Sequence, residues 1–264
     1  MIMAIFAIPA MAATDYPMIT FEDSADFTVI KGYLQTEVMT VQGLDSSYVK
    51  HDLGADEQYV TWTSSNTNVV RFRDGIIPKT SITGKDTVTV QTLIPGTAVV
   101  TATYDTPTAD PVTVTSYVVV EGTTTTSSVS GIDIDVDGYN TSDFSFAGLT
   151  VPLFDLSDAG ITDNDNDVLK KTPTALHAFL YALEIQNSTE TTSTPIGSFD
   201  WDWVKDNVVL NSEGSYLQAV GTDDGGTDWT RGWQFTVNDD APEHAASVAP
   251  LTTNAEVTWG FLPW

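Results

Sequence analysis

Thr97-Ala98-Val99-Val100-Thr101-Ala102-Thr103-Tyr104 decides the fold of the first half of the chain. Successive side chains of a strand point to opposite faces, so the residues at every second position here can share one buried face. Residues 38–41, 59–63, 69–72, 88–92 and 112–120 show the same β-branched or aromatic alternation, and Gly, Pro, Asn or Asp clusters separate them. No helical period competes. Short strands at regular intervals with turn signals between them predict a β-sandwich.

The charge narrows the partners. Ten Lys and Arg stand against 36 Asp and Glu in 264 residues, a net charge of −26. Nucleic acid is excluded as a partner, because binding a polyphosphate needs a basic face. Hydrophobic residues make up 41% and aromatics 10%, enough to build packed cores. Cysteine is absent, which removes disulfide frameworks, zinc–thiolate sites and cysteine nucleophiles. About 40 residues are Thr, a type that suits the solvent side of strands. The expected exterior is polar and acidic, and it attracts cations.

Residues 1–13 are apolar throughout and read as a secretory signal peptide, with Ala10-Met11-Ala12 fitting the small-x-small cleavage rule. The usual positive charge before the apolar run is missing, since the first Lys is Lys31; a start placed a few codons late fits that. The run is too short to span a bilayer, and no later segment is long and apolar enough. The expected address is therefore extracellular or at the cell surface. Thr123-Thr124-Thr125-Thr126-Ser127-Ser128-Val129-Ser130 has no apolar period and reads as an exposed linker. It divides the mature chain into a sandwich over 14–122, a Thr/Ser linker over 123–131 and a second domain over 132–264.

In that second domain, Gly131-Ile132-Asp133-Ile134-Asp135-Val136-Asp137-Gly138 alternates as a strand. Thr172-Pro173-Thr174 can start a helix, with Thr172 as N-cap and Pro173 at the first helical position. Leu176, Phe179, Leu180 and Leu183 then give one apolar stripe. Residues 215–220, 233–237 and 256–261 read as later strands. The expected architecture is mainly β overall: an Ig-like sandwich, then an α+β domain with one helix packed on an antiparallel sheet.

Two resemblances follow from particular residues. Val60-Thr61-Trp62-Thr63-Ser64-Ser65-Asn66-Thr67-Asn68-Val69-Val70, then Asp74-Gly75, then Pro95-Gly96-Thr97-Ala98-Val99-Val100 and a closing strand at Tyr117-Val118-Val119-Val120, resembles the bacterial Ig-like repeats of adhesins such as intimin and invasin. The likeness covers about residues 36–121 and implies a spacer or adhesive module in which Trp62 is core. The stretch between Gly75 and Pro95 is longer than the family's usual connection, and residues 15–35 precede the pattern and read as an added strand. Arg231-Gly232-Trp233-Gln234-Phe235-Thr236-Val237-Asn238 followed by Ala255-Glu256-Val257-Thr258-Trp259-Gly260-Phe261, with Thr174–Leu183 and Gly214–Gly221 before them, resembles the C-terminal domain of transcobalamin and intrinsic factor and its bacterial surface relatives. That likeness covers about residues 132–264. The family's Asn-Gly turn is replaced by Asn238-Asp239-Asp240, and the helical barrel of the vitamin carriers has no counterpart.

Candidate sites are few. Asp163, Asp165 and Asp167 place three carboxylates at alternate positions, like the start of a calcium loop. Val168 stands where the EF-hand pattern needs Gly, and Thr174 where it needs Glu. With Asp155 and Asp158 they can make an irregular Ca²⁺ site, or simply a solvated acidic loop ahead of the helix. No motif requires a cofactor. Trp201, Trp203 and Trp229 fall in expected loops and are the candidates for a ligand-contact surface, whereas Trp233 and Trp259 lie in strands and fill the core. Gly-x-Ser-x-Gly, His-Glu-x-x-His and phosphate-loop patterns are absent, and His177 reads as packed inside its helix. The expected protein is a secreted or cell-surface, non-enzymatic binding or adhesion protein whose partner is an extracellular protein, a glycan or copies of itself. One alternative is a structural subunit of an extracellular filament or surface layer, with residues 15–35 adding a strand to a neighbour's sheet. Corrinoid (cobalamin) binding is another.

Overall fold

The computed structural model describes residues 13–138, 140–161, 168–210, 216–226, 230–242 and 244–263. Residues 1–12 of the expected signal peptide lie outside them, as do Trp229 and the calcium-loop candidates Asp163, Asp165 and Asp167. Contacts divide the chain into two compact units: residues up to Phe27 with Leu34–Val118, and Thr28–Tyr33 with Val119–Trp264. No described helix is long and apolar enough to cross a membrane.

Eleven strands are described before residue 121. They are β1 (Met18–Phe21), β2 (Thr28–Lys31), β3 (Thr36–Leu44), β4 (Lys50–His51), β5 (Val60–Ser64) and β6 (Val70–Asp74). Then come β7 (Ile77–Lys79), β8 (Ser81–Thr83), β9 (Thr87–Thr92), β10 (Gly96–Tyr104) and β11 (Val112–Val120). In the first unit β1-β3-β9-β6-β7 form one sheet, with β4 paired to β3, and β11-β10-β5-β8 form the other. The layers meet through Trp62 of β5, which is wholly buried. Its ring lies 6.3 Å from Phe21 of β1 and 6.5 Å from Phe72 of β6. This is a β-sandwich whose inner faces interdigitate. On β10 the alternation holds as read: Ala98, Val100, Ala102 and Tyr104 are buried.

The Trp62 indole N–H donates to the Lys85 carbonyl at 2.9 Å. Trp62→Phe removes that bond and leaves space beside Phe21 and Phe72. Urea unfolding should register a loss of about 1–3 kcal/mol for the first unit.

The extra length between Gly75 and Pro95 is spent on β7, β8 and β9. Asp74 pairs with Ile77, so Gly75 and Ile76 make a two-residue turn, and Gly75 takes a φ of 62° that glycine tolerates best. Within residues 15–35, β1 pairs antiparallel with β3 of its own sheet, Met18 opposite Leu44. The Asp15 carboxylate also accepts from the Thr106 and Thr108 hydroxyls. So this segment does form a strand of its own sheet, and β1 stands at the edge of that sheet, paired on one side with β3.

The second unit contains β12 (Ser128–Asp137), β13 (Phe144–Pro152), α1 (Ala175–Asn187), α2 (Asp202–Asn207) and β14 (Val208–Leu210). It closes with β15 (Leu217–Val220), β16 (Asp223–Asp224), β17 (Arg231–Val237) and β18 (Glu256–Pro263). One sheet runs β13-β12-β18-β17 and a smaller one β14-β15-β16. The larger sheet is mixed, not wholly antiparallel, because β12 and β18 run parallel. Every residue of α1 from Ala175 to Glu184 is buried. The expected single stripe understates this: the sheet covers one side, and α2 and residues 246–248 cover the back.

Two boundaries and one strand irregularity differ from expectation. The linker over 123–131 ends sooner, since β12 starts at Ser128 and buries Val129. Residues 123–128 are exposed, yet the Thr126 N–H donates to the Lys171 carbonyl at 2.7 Å and Leu153 to the Ser127 carbonyl at 2.8 Å, so the stretch is tied to the second unit. The N-cap of α1 is Thr174, not Thr172. Pro173 and Ala175 instead use their backbone on the 249–251 segment, accepting from Leu251 at 3.0 Å and donating to Ala249 at 3.0 Å. Finally, Gly131 takes a φ of 76° at a bulge in β12, where a Cβ would collide with Asn254 Oδ1.

Candidate binding cavity of the second unit

Strands β17 and β18 build the site. Their antiparallel register sets Phe235 opposite Trp259 and Trp233 opposite Phe261. Cross-strand neighbours on one face touch. The Phe235 and Trp259 rings stack at 5.1 Å, and Trp233 and Phe261 lie 5.6 Å apart. Phe179 of α1 closes the group from behind, stacked on Trp259 at 4.3 Å. In front of these rings opens a cavity of about 750 Å³, whose described lining includes Tyr216, Trp233, Gln234, Phe235, His244 and Trp259.

The walls are fixed. The Trp233 indole N–H donates to the Asp223 carbonyl at 3.1 Å. Asp223 is itself wholly buried, and its carboxylate accepts from the backbone N–H groups of Asn140 and Thr141. The Trp259 indole N–H is buried and meets no acceptor among the described residues. His244 donates from Nδ1 to the Ala245 carbonyl at 3.2 Å. Burial pushes its pKa down, so the ring is neutral at pH 7. No carboxylate, Lys or Arg is among the described lining residues. Such a site can bind rings by stacking and exclude water. Among its described lining residues there is no pair of acids of the kind glycoside hydrolysis uses.

The expected contact surface is placed differently. Trp201 is 2% exposed and packs against Phe154 at 4.4 Å and Phe199 at 5.1 Å. It is the N-cap of α2 in a left-handed backbone conformation (φ 58°), and Trp203 lies within that helix, half-buried against the core. Neither sits on an exposed loop, and Trp201 is corrected to a core residue. Asp155 is exposed and accepts from the Ser157 N–H of its own loop at 2.9 Å.

His177 is buried at the start of α1. Its Nδ1 accepts from the Thr174 backbone N–H at 3.2 Å and lies 2.8 Å from the Thr174 hydroxyl. That leaves Nε2 to donate to the Phe154 carbonyl at 3.1 Å. Burial drives its pKa down to about 4. It is a neutral helix cap.

Sequence reading placed Trp233 and Trp259 in the core but missed the cavity beside them. The signal was present as aromatic residues two apart on one strand facing an aromatic strand. What hid it was the 241–246 segment, which has no periodicity.

No protein-family model matches the chain, and no curated protein matches it. Among solved structures, the S-layer protein rSbsC(31–844) is 20% identical over 43% of this chain and 14% of its own length, with a TM-score of 0.27. Domains 5–6 of the S-layer protein SbsC are 14% identical, covering 92% of this chain and 96% of that one, at 0.28. Mouse clustered PcdhgC3 EC1-3 is 8% identical over 93% and 67%, at 0.24. Likenesses at these scores do not amount to a shared arrangement, and the functional reading rests on the chain's own geometry.

Proposed function

We propose that this is an extracellular or cell-surface binding protein, without catalytic activity, in which an Ig-like spacer carries a small α+β module that receives uncharged rings of a glycan or a protein side chain. The observation that carries the reading is the cavity walled by Trp233, Phe235 and Trp259 with no ionised side chain among its described lining. Stacking on apolar rings favours a neutral ligand of that shape. The resemblance of residues 36–121 to bacterial Ig-like adhesin repeats, and of residues 132–264 to the transcobalamin C-terminal domain family, supports the same division of labour. So does an acidic chain surface, which keeps the protein soluble and off nucleic acid.

Beads coated with the chain and passed over a glycan and aromatic-peptide array test it. Ala241 lies exposed at the cavity, so Ala241→Trp fills the mouth with little strain on the core. Retention should fall at least tenfold in that variant. Absence of retention by the wild type, or equal retention by both, overturns the proposal.

A structural subunit of a surface layer is the second reading. It is favoured by Ile76 and Ile77 at the β6–β7 turn, 88% and 57% exposed, since apolar tips of this kind suit contact with another copy. Electron microscopy of the purified chain, which would show ordered arrays on this reading and isolated particles on the first, separates the two.

A further inference from the structure

We propose that Glu184, Glu190 and Asp200 form a Ca²⁺ site that fastens the C-terminal turn of α1 to the segment leading into α2. The three residues come from separate places in the chain, and one oxygen from each lies within 4.8 Å of the others. Proximity of acids alone says little. The telling group is Glu184, whose side chain is wholly buried. One of its oxygens accepts from the Val204 N–H at 2.9 Å; the other, Oε1, is buried and has no hydrogen-bond partner within bonding distance among the described residues. A buried carboxylate with an orphaned oxygen is strongly disfavoured unless a charge compensates it.

Among the described residues, no Lys, Arg or His forms an ion pair with any of the three carboxylates. Lys205 directs its ammonium to the Asp200 backbone carbonyl oxygen at 2.6 Å. The Ser188 hydroxyl donates to Glu190 Oε2. Ser188 and the Trp203 backbone N–H also act on the Glu184 carboxylate, but neither carries a positive charge. Glu184 stands on the same helical line as Leu176 and Leu180, where an apolar residue would otherwise pack. A carboxylate kept in that line, with two more beside it, is arranged for a cation.

The ligand type fixes the class of ion. All donors are oxygens, and hard cations take carboxylates and hydroxyls, whereas zinc and copper favour His and Cys. One helical ligand with two from irregular segments suits Ca²⁺, which accepts six to eight oxygens flexibly, better than Mg²⁺, which demands a near-ideal octahedron. Waters complete the shell. The site is independent of whether the aromatic cavity binds anything.

The competing explanation is that the three carboxyls share protons. Tb³⁺ luminescence excited through tryptophan, displaced by Ca²⁺, and the thermal midpoint with and without millimolar Ca²⁺ decide between them on the full chain. The midpoint should rise by about 5 °C with Ca²⁺, and Tb³⁺ should bind near one equivalent. The double variant E184Q/E190Q should lose both signals, because Gln keeps the Val204 contact but not the charge. Asp200 is exposed, so D200N is the fold-safe variant should the double one fail to fold, with affinity at least tenfold weaker. The triple variant D163N/D165N/D167N should keep both signals. Absence of a Ca²⁺ shift in the wild type, or signals that survive E184Q/E190Q or D200N, overturns the proposal.

Discussion

Replacing Phe179 by alanine will destabilise the second unit by about 3–5 kcal/mol in urea unfolding. Phe179 is wholly buried on α1. It stacks on Trp259 at 4.3 Å and lies 5.7 Å from Trp233, so it joins helix to sheet through two of the largest side chains in the core. Truncation removes the transfer energy of the ring and leaves a cavity that rigid strands β17 and β18 cannot close. The same change loosens Trp259, a wall of the binding cavity. A loss below about 1 kcal/mol would mean that the helix does not hold the sheet in the way described.

Acidification from pH 6.5 to 4 will lower the stability of the second unit by about 3 kcal/mol through His177 alone. The folded pKa is depressed to about 4 from 6.5, chiefly by burial. The unfolded chain therefore takes up a proton at a pH where the folded chain does not. The contribution is complete above pH 6.5, falls as pH drops, and is exhausted near pH 4. Protonation at Nδ1 would set an N–H against the Thr174 N–H that it now accepts from. Glu184 works in the opposite sense, since burial and then the neighbouring Glu190 shape a raised pKa, and its charge is relieved as pH falls. Comparison with His177→Gln cancels that term. Gln at the third helical position can also complete a capping box with Thr174. Across this window the wild type should lose about 3 kcal/mol relative to the variant; parallel curves would contradict the assignment.

Much of the sandwich was legible because its strands obey a period of two. In Thr97–Tyr104 alternation showed that every second residue shares a face, the one that buries Val100 and Tyr104, and Trp62 was placed in the core by the resemblance to the adhesin repeats. The second unit was harder. α2 has no side-chain N-cap and only six residues, so nothing local announced it, and Trp201 and Trp203 read as loop residues. The parallel pairing of β12 with β18 joins residues more than a hundred positions apart, which no local pattern encodes. The carboxylate cluster left one trace, an acid at the end of an apolar helical line, but Glu190 and Asp200 reach it only through the fold. The cavity arises where β17 and β18 meet an aperiodic segment, and strand patterns alone predict the walls without the space between them.

Binding without chemistry at the aromatic cavity is tested most directly by ligand-observed NMR on the full chain and on Ala241→Trp, with neutral saccharides and aromatic peptides in the tube. Saturation transfer to at least one ligand class, lost in Ala241→Trp, with every ligand intact after prolonged incubation, is the predicted result. Steady conversion of a ligand into product, or transfer undiminished when the mouth is filled, would contradict it.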